Sequence, residues 1–199
     1  MQQQLVLASS SSQRLALLNK INIIPTKVVS PNIDESIQAK ERPFALVNRL
    51  SLAKLNCVKN TFNNSFIIAA DTIVARGALI LGKPKDIKEA EHFLNLLSGR
   101  KHKVITGISV CNPNNKIVSK VISTTVAFKK LEVQEIINYL ASKEWLNKAG
   151  GYTIDGYAEI FIKQIIGSYS NILGLPLLTA CNLLKGLGYL HKWPPVAVY

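Results

Sequence analysis

Residues 5–18 carry the clearest fold signal, and they read Leu5-Val-Leu-Ala-Ser-Ser-Ser-Ser-Gln-Arg-Leu-Ala-Leu-Leu18. A short apolar run that passes through a serine-rich turn into helical spacing predicts a strand followed by a helix. Such a turn leaves backbone N–H groups and hydroxyls at a helix N-terminus, where an anion can bind. Ordinary N-capping, which needs one serine, is the alternative interpretation.

Strands and helices alternate along the rest of the chain. Helices are predicted where apolar residues recur at helical spacing, in residues 42–59, 89–97, 133–141 and 176–185. Strands are predicted for the apolar runs at residues 66–70, 103–111 and 116–128, with a strand-like run at residues 159–166. We therefore expect an α/β fold in which a mixed sheet has flanking helices and two lobes surround a central cleft.

Composition limits the class of protein. The chain has 199 residues, of which 48% are hydrophobic, and this suits a single domain spanning residues 1–199. No apolar run is long enough to span a bilayer, and the first residues lack the features of a signal peptide, so we expect no membrane association. The three cysteines are widely spaced, which favours reduced thiols in a cytoplasmic protein over a zinc site. We expect the tail at residues 190–199 to be peripheral.

The net charge of +12 requires a polyanionic partner to be considered. The lysines and arginines are spread along the chain, without a long basic run and without the interleaved aromatic residues that stack single-stranded bases. We therefore expect a small phosphorylated ligand and no specific binding of nucleic acid.

Two glycine-rich segments, residues 147–156 and 167–176, flank the strand-like run. Glycine lets the backbone approach a ligand closely, and the serine, tyrosine and asparagine side chains between the glycines can form hydrogen bonds, so the pair predicts a walled pocket. A pair of tight turns is the alternative interpretation.

Several charged residues lie where functional groups often project. Asp71 follows the predicted strand 66–70, and Glu35 lies in a loop bounded by prolines. Lys54 lies within its predicted helix, Lys83 lies in Gly82-Lys-Pro84, and Lys148 precedes a glycine pair. For any one of these lysines a solvated surface charge is the alternative.

Short motifs along nearly the whole chain, from about Leu5 to about Gly188, resemble the Maf family in order and spacing. They are Leu7-Ala-Ser-x-Ser11 leading into Arg14, Ala70-Asp-Thr-Ile-Val74, Gly82-Lys-Pro84, Leu97-Ser-Gly-Arg100, Thr106-Gly107, Lys148-Ala-Gly150, Gly167-Ser-Tyr-Ser-Asn171 and Gly174-Leu-Pro176. The resemblance implies a fold related to the inosine triphosphatases and hydrolysis of a nucleoside triphosphate to the monophosphate and pyrophosphate. It also implies a divalent cation, Mg²⁺ or Mn²⁺, removal of noncanonical nucleotides and a link to septum formation and cell-division arrest. The sequence does not give the oligomeric state, and a homodimer is one alternative.

The resemblance assigns roles residue by residue. Asp71 matches the proton acceptor of the family, and Lys54 and Lys83 match its basic catalytic pair. The phosphate-binding turn corresponds to Ser9, Ser11 and Arg14. Asp71 and Glu35 are the expected metal ligands, because Mg²⁺ takes one or two carboxylates together with substrate phosphates.

Three positions bear on base specificity. Gln13 stands where most family members have an arginine, and Asp155 stands where the branch that prefers dTTP and UTP has glutamine. Thr72 follows that branch. We therefore expect Gln13 and Asp155 to shift preference away from a strict dTTP and UTP specialist, since an ionised carboxylate can only accept hydrogen bonds. The alternative function is a noncatalytic basic protein that acts on division machinery or nucleic acid.

Overall fold

A computed structural model describes residues 3–191; residues 192–199, most of the predicted peripheral tail, lie outside the described part. The helices are α1 (Ser12–Lys20), α2 (Pro43–Lys59), α3 (Ile87–Leu97), α4 (Val133–Ser142), α5 (Tyr169–Ile172) and α6 (Leu177–Gly186). The strands are β1 (Leu5–Ala8), β2 (Lys27–Val29), β3 (Phe66–Arg76), β4 (Leu79–Leu81), β5 (Lys101–Cys111), β6 (Ile117–Phe128) and β7 (Ile162–Ile166). The four helices predicted from apolar spacing are confirmed, each within two residues at either end.

The strands form one mixed seven-stranded sheet in the order β2-β1-β3-β5-β6-β7, with β4 paired to β3. Strands β2, β1 and β3 are parallel, whereas β3, β5, β6 and β7 are antiparallel neighbours. The predicted α/β class with a mixed sheet is confirmed. No helix in residues 3–191 combines the length and the apolar composition needed to cross a membrane.

Strand β3 is longer than the sequence pattern predicted. The prediction ended it at Ala70 and placed Asp71 at a strand end, but the strand continues to Arg76. Residues 71–75 pair with β5, from Asp71 opposite Gly107 to Ala75 opposite Lys103. Asp71 interrupts the apolar run without ending the strand, because the ladder to β5 satisfies the backbone on both sides of it.

The cleft lies at a gap in the strand pairing, on the edge of β3 that faces away from β5. Because β5 occupies one edge of β3, the pairs to β1 and to β4 both lie on the opposite edge. There β1 pairs with residues 66–69 and β4 pairs with residues 74–76. Residues 70–73 lie between these two pairings, so Asp71 and Thr72 border a crevice where β1 has already turned into α1.

Two buried clusters lie toward opposite ends of the long strands and form the two lobes. One cluster contains Phe66 and Ile68 of β3 and packs against α1 and α6. The other contains Val74 of the same strand and packs against α3 and α4. Asp71 and Thr72 therefore lie between the two apolar regions.

Helix α2 crosses β3 and β5 at very close range. A Cβ built on Gly107 would lie 2.1 Å from the carbonyl oxygen of Val47, so only glycine permits this approach. Ser51, one turn later, bonds Ser109 through their hydroxyl oxygens at 2.8 Å. Lys54 comes one further turn along the same helix face, which brings its side chain to Asp71.

The strand-like run predicted at residues 159–166 is half correct. A 3-10 helix occupies Tyr157–Phe161, and β7 begins only at Ile162. The carboxylate of Glu144 accepts a hydrogen bond from the N–H of Tyr157 at 2.9 Å. This contact stabilises the start of the 3-10 helix. It comes from a residue thirteen positions earlier, so the local pattern of apolar residues does not reveal it.

Candidate active site

A cavity of about 660 Å³ occupies the crevice beside β3. Its size is in the range of small-molecule sites. The predicted site residues that line it are Ser9, Ser11, Gln13, Arg14, Glu35, Lys54, Asp71, Thr72 and Lys83. Residues from five separate stretches of the chain are thus brought together.

The centre of the charged end is a buried ion pair. Nζ of Lys54 lies 2.5 Å from Oδ1 of Asp71 and 2.7 Å from Oε1 of Glu35. Lys54 and Asp71 are 7% and 6% exposed, whereas half of the Glu35 side chain is exposed. One ammonium group therefore joins a buried carboxylate to one at the mouth of the cavity.

The charge balance favours the ionised form of Glu35. Partial burial alone would raise its pKa, but the hydrogen bond from Lys54 and the positive charges of Lys54, Lys83 and Arg14 hold its pKa below the ordinary value. Glu35 is therefore a carboxylate at neutral pH and can bind a cation.

Arg14 has a buried guanidinium that joins three parts of the cavity wall. It donates from Nε to the carbonyl of Gly174 at 2.8 Å, from Nη1 to Oγ of Ser9 at 3.1 Å and from Nη2 to Oγ1 of Thr72 at 3.1 Å. Burial lowers the pKa of Arg14, and the charges of Asp71 and Glu35 oppose this shift. Much of its donor capacity is thus used within the protein.

The serine turn has the predicted strand-to-helix form. Oγ of Ser11 accepts a hydrogen bond from the N–H of Arg14 and caps α1, so the capping interpretation describes this serine. Oγ of Ser9 accepts from the N–H of Ser11 at 3.1 Å. The next N–H groups, at Ser12 and Gln13, have no acceptor within the helix and lie at the edge of the cavity.

Two further lysines face the cavity from adjoining segments. Lys83 is exposed and Lys148 is half-buried, and their segments are joined by a hydrogen bond from the N–H of Gly150 to the carbonyl of Gly82 at 2.9 Å. Within residues 3–191 neither lysine forms an ion pair. Lys148 has no assigned role in the sequence motifs, and the glycine pair that follows it is the signal by which it could be found.

Beyond Asp71 along β3, part of the cavity wall is apolar. It is lined by side chains from four elements or loops, Val74, Val104, Tyr152, Ile154 and Ile172. Val74, Val104 and Tyr152 belong to the buried cluster of one lobe. We call the part of the wall around Lys54 the charged end of the cavity and the part around Tyr152 its apolar end.

Asp155 does not line the cavity, although residues 152–154 do. It is exposed, and its negative charge contributes to raising the pKa of Tyr169 after the larger effect of burial. The structure therefore separates Asp155 from the other predicted site residues.

The residues present suit a divalent cation bound partly by the protein. Asp71 and Glu35 converge on one positively charged atom, Nζ of Lys54. Two carboxylates, completed by water and phosphate oxygens, form the kind of donor set that Mg²⁺ takes. Among residues 3–191, the His, Cys, Asp and Glu side chains form no cluster of three or more that could hold a metal ion.

A family sequence profile described as Maf-like protein matches residues 4–187. The chain belongs to the Maf family. It is 44% identical to a dTTP/UTP pyrophosphatase of Rhizobium johnstonii, over 96% of this chain and 97% of that protein. It is also 43% identical to a nucleoside triphosphate pyrophosphatase of Orientia tsutsugamushi, over 93% of this chain and 92% of that protein.

A solved structure of the Ham1 protein of Staphylococcus aureus covers 63% of this Maf chain and 72% of its own length, at 17% identity with a TM-score of 0.44. The motif-based assignment to the Maf family is confirmed by the profile and the curated relatives. The site residues assigned from the same motifs stay predictions, and their positions in the cavity are the structural support for them.

Proposed function

We propose that this protein is a nucleoside triphosphate pyrophosphatase that hydrolyses its substrate to the nucleoside monophosphate and pyrophosphate. The observation that carries the proposal is the buried Asp71–Lys54 pair, which faces a cavity lined both by cationic groups and by apolar side chains. A triphosphate matches the charged end and a nucleobase matches the apolar end. The names of the curated relatives support the same reaction.

In the proposed reaction a water molecule attacks the α-phosphorus. A new P–O bond forms to that water, the bond from the α-phosphorus to the bridging oxygen breaks, and pyrophosphate leaves with the electron pair. Asp71 accepts the proton of the attacking water, as a carboxylate held close to its substrate can. Lys54 holds the carboxylate in position through the 2.5 Å contact.

The phosphate groups require cationic or N–H groups that are not already paired with other groups of the protein. Lys54 is engaged with two carboxylates and Arg14 with three acceptors of the protein. Lys83, Lys148 and the first N–H groups of α1 are therefore the proposed contacts to the β- and γ-phosphates. Ser9, Ser11 and Arg14 hold this turn in position, with Thr72 bonded to the guanidinium.

A divalent cation, Mg²⁺ or Mn²⁺, belongs to the proposal, with Asp71 and Glu35 as its protein ligands. When bound it would offset phosphate charge and polarise the phosphoryl group. Lys54 would then share its two carboxylates with the cation. The ionised state of Glu35 at neutral pH suits this sharing.

The proposed substrates begin with dTTP and UTP. A relative 44% identical over nearly the whole chain is named for these two nucleotides. Asp155, one of the two departures expected to disfavour them, lies outside the cavity. Gln13 lines the cavity near the charged end and so bears on phosphate binding more directly than on the base.

We also propose a cellular location, a domain organisation and an assembly state. A cytoplasmic location is supported by the cysteines, since Cys57, Cys111 and Cys181 are free and form no disulfide among the described residues. Organisation as a single domain and assembly as a homodimer are retained from the sequence analysis. Sedimentation equilibrium would measure the assembly.

Product analysis tests the proposed reaction. Purified protein is incubated with each nucleoside triphosphate and Mg²⁺ or Mn²⁺, and nucleotides are separated by chromatography while pyrophosphate is measured with and without inorganic pyrophosphatase. We expect monophosphate and pyrophosphate in equal amounts, with orthophosphate only after pyrophosphatase is added. Nucleoside diphosphate as the main product would contradict the proposal, and absence of turnover on every triphosphate would favour the noncatalytic alternative.

A further inference from the structure

His102 is a buried polar side chain that the proposed reaction does not use. It lies in β5 and is 2% exposed. Its Nε2 is 2.7 Å from the hydroxyl of Tyr152, and its Nδ1 has no hydrogen-bond partner among the described residues. A buried polar group with an unsatisfied atom lowers the stability of the fold, so the presence of His102 in an apolar cluster calls for an explanation.

Tyr152 is the residue that connects this histidine to the cavity. It lines the apolar end, and the next two residues, Thr153 and Ile154, line the cavity as well. The ring of Tyr152 packs edge-on against His102 and Phe128, with centroids 5.4 and 4.9 Å away. Its hydroxyl and its ring are thus both held by residues that do not line this cavity.

The segment around Tyr152 has little regular structure of its own. It follows the short 3-10 turn Ala149–Gly151, in which Gly150 and Gly151 have positive φ angles of 69° and 70°. A Cβ on Gly150 would lie 2.8 Å from Val74, so the backbone is pressed against β3 there. Beyond Tyr152, the N–H of Thr153 donates to the hydroxyl of Tyr139 at 3.3 Å.

Both partners of the hydrogen bond are uncharged at neutral pH. Burial lowers the pKa of His102 to about 4, and burial, with a smaller effect of Tyr139, raises the pKa of the Tyr152 hydroxyl. The bond therefore holds the segment without adding charge beside the apolar end of the cavity.

We propose that His102 is a positioning residue that fixes Tyr152 and the backbone of residues 152–154 in the shape that receives the nucleobase. This inference rests on the proposed function, since it assigns a task to the apolar end of the same cavity. Without the bond to His102 the segment would sample other arrangements, and only the fraction in the competent shape would bind substrate. A competent fraction of about one tenth raises the apparent dissociation constant about tenfold.

The test uses Tyr152→Phe and His102→Leu in the full chain, with His102→Gln as the conservative variant. Glutamine can place an amide near the position of Nε2 and restore the contact to the tyrosine hydroxyl. We expect KM for UTP to rise roughly tenfold in the first two variants with kcat changed less than about threefold, and to return toward the parent value in His102→Gln. Tyr152→Phe keeps the ring in place and is the variant least able to disturb folding.

Two controls separate positioning from general destabilisation. Inorganic pyrophosphate has no base, so its inhibition constant should stay at the parent value in all three variants. Leu184→Ala, a cavity-forming change in the other lobe, should lower the melting temperature and leave KM unchanged. Unchanged KM in folded Tyr152→Phe, or equal weakening of UTP and pyrophosphate, would overturn the inference while parent turnover keeps the proposed function intact. A parent without turnover would overturn both.

Discussion

The charged end of the cavity and its apolar end are built in different ways. At the charged end, Asp71 and Lys54 project from the middle of a long strand and from a long helix, and their 2.5 Å contact is part of the packing of these two elements. At the apolar end, Tyr152 lies in an irregular segment that is held by hydrogen bonds to His102 and through Thr153 to Tyr139.

This difference separates two tasks. A proton acceptor must be held within hydrogen-bond distance of its target, and a side chain on a packed strand has little freedom to move. A base-binding surface needs shape more than charge, and a loop can change shape with few substitutions. We therefore expect changes at the charged end to lower kcat, and changes at the apolar end to alter KM, specificity or stability.

The largest effect is expected for Asp71→Asn. The amide has nearly the same shape but cannot accept the proton of water, so kcat should fall by about a hundredfold to ten-thousandfold with the fold intact. Steady-state kinetics and a melting curve measure both quantities. Asp86→Asn is the matched control, since Asp86 caps α3 and asparagine caps equally well. Near-normal turnover in folded Asp71→Asn would show that Asp71 is not the proton acceptor.

The next effect concerns stability at the apolar end. The pKa of His102 is about 4 in the folded protein against an ordinary value of 6.5, so between these values the unfolded chain binds more protons. Stability from the neutral imidazole is present above pH 6.5 and is lost as the pH falls toward 4. With about 1.4 kcal/mol for each tenfold change in proton affinity, the loss is about 3 kcal/mol.

Urea unfolding of the parent and of His102→Gln at pH 7.5 and 4.5 measures this loss. The parent should lose about 2.5 kcal/mol more than the variant between the two pH values, since the imidazole is not yet fully protonated in the folded protein at pH 4.5. His92→Gln, at an exposed position of α3, is the control and should follow the parent. Equal pH dependence in the parent and His102→Gln would show that the imidazole is not the group responsible.

Gly107→Ala tests how helix packing sets the charged end. The new Cβ would meet the carbonyl oxygen of Val47 at 2.1 Å, so α2 must move and carry Lys54 with it. We expect a stability loss of about 1–3 kcal/mol together with a fall in kcat. Gly186→Ala, where a Cβ meets nothing within 4 Å, is the control. Full activity in Gly107→Ala would mean that the Lys54–Asp71 contact tolerates displacement of the helix.

Smaller losses are expected for Lys83→Ala and Lys148→Ala. Each should lower kcat/KM by on the order of tenfold, because a charged hydrogen bond to phosphate is lost. Because Lys83 is exposed, salt should weaken the parent more than Lys83→Ala. Lys85→Ala, on the same exposed loop, is the control. If the salt dependence is the same in parent and variant, Lys83 does not contact the substrate.

The smallest effect is expected at Asp155. Since Asp155 is exposed and does not line the cavity, Asp155→Gln should change the ratio of UTP to GTP turnover by less than about twofold. Gln13→Arg is the matched comparison, because Gln13 does line the cavity. A shift of tenfold or more in Asp155→Gln would place the carboxylate at the base and restore the expectation drawn from the sequence.

Much of the charged end was predictable because its signals are local. The serine turn into α1 follows from an apolar run, hydroxyl residues and helical spacing in adjacent positions. The polar Asp71 within an apolar strand also stands out in one short stretch. The extent of β3 was not predictable, because its second half is fixed by pairing with β5 about thirty residues later in the chain.

The sequence by itself determined the mixed α/β class, the positions of the main helices, the serine turn and, through ordered motifs, membership of the Maf family. Tertiary structure alone decided that Lys54 joins two carboxylates, that Arg14 is enclosed by protein acceptors, that Asp155 lies outside the cavity, and that His102 reaches Tyr152 fifty residues away. The physical reason is range: spacing and capping act over a few residues, whereas ion pairs and buried hydrogen bonds depend on how distant segments pack.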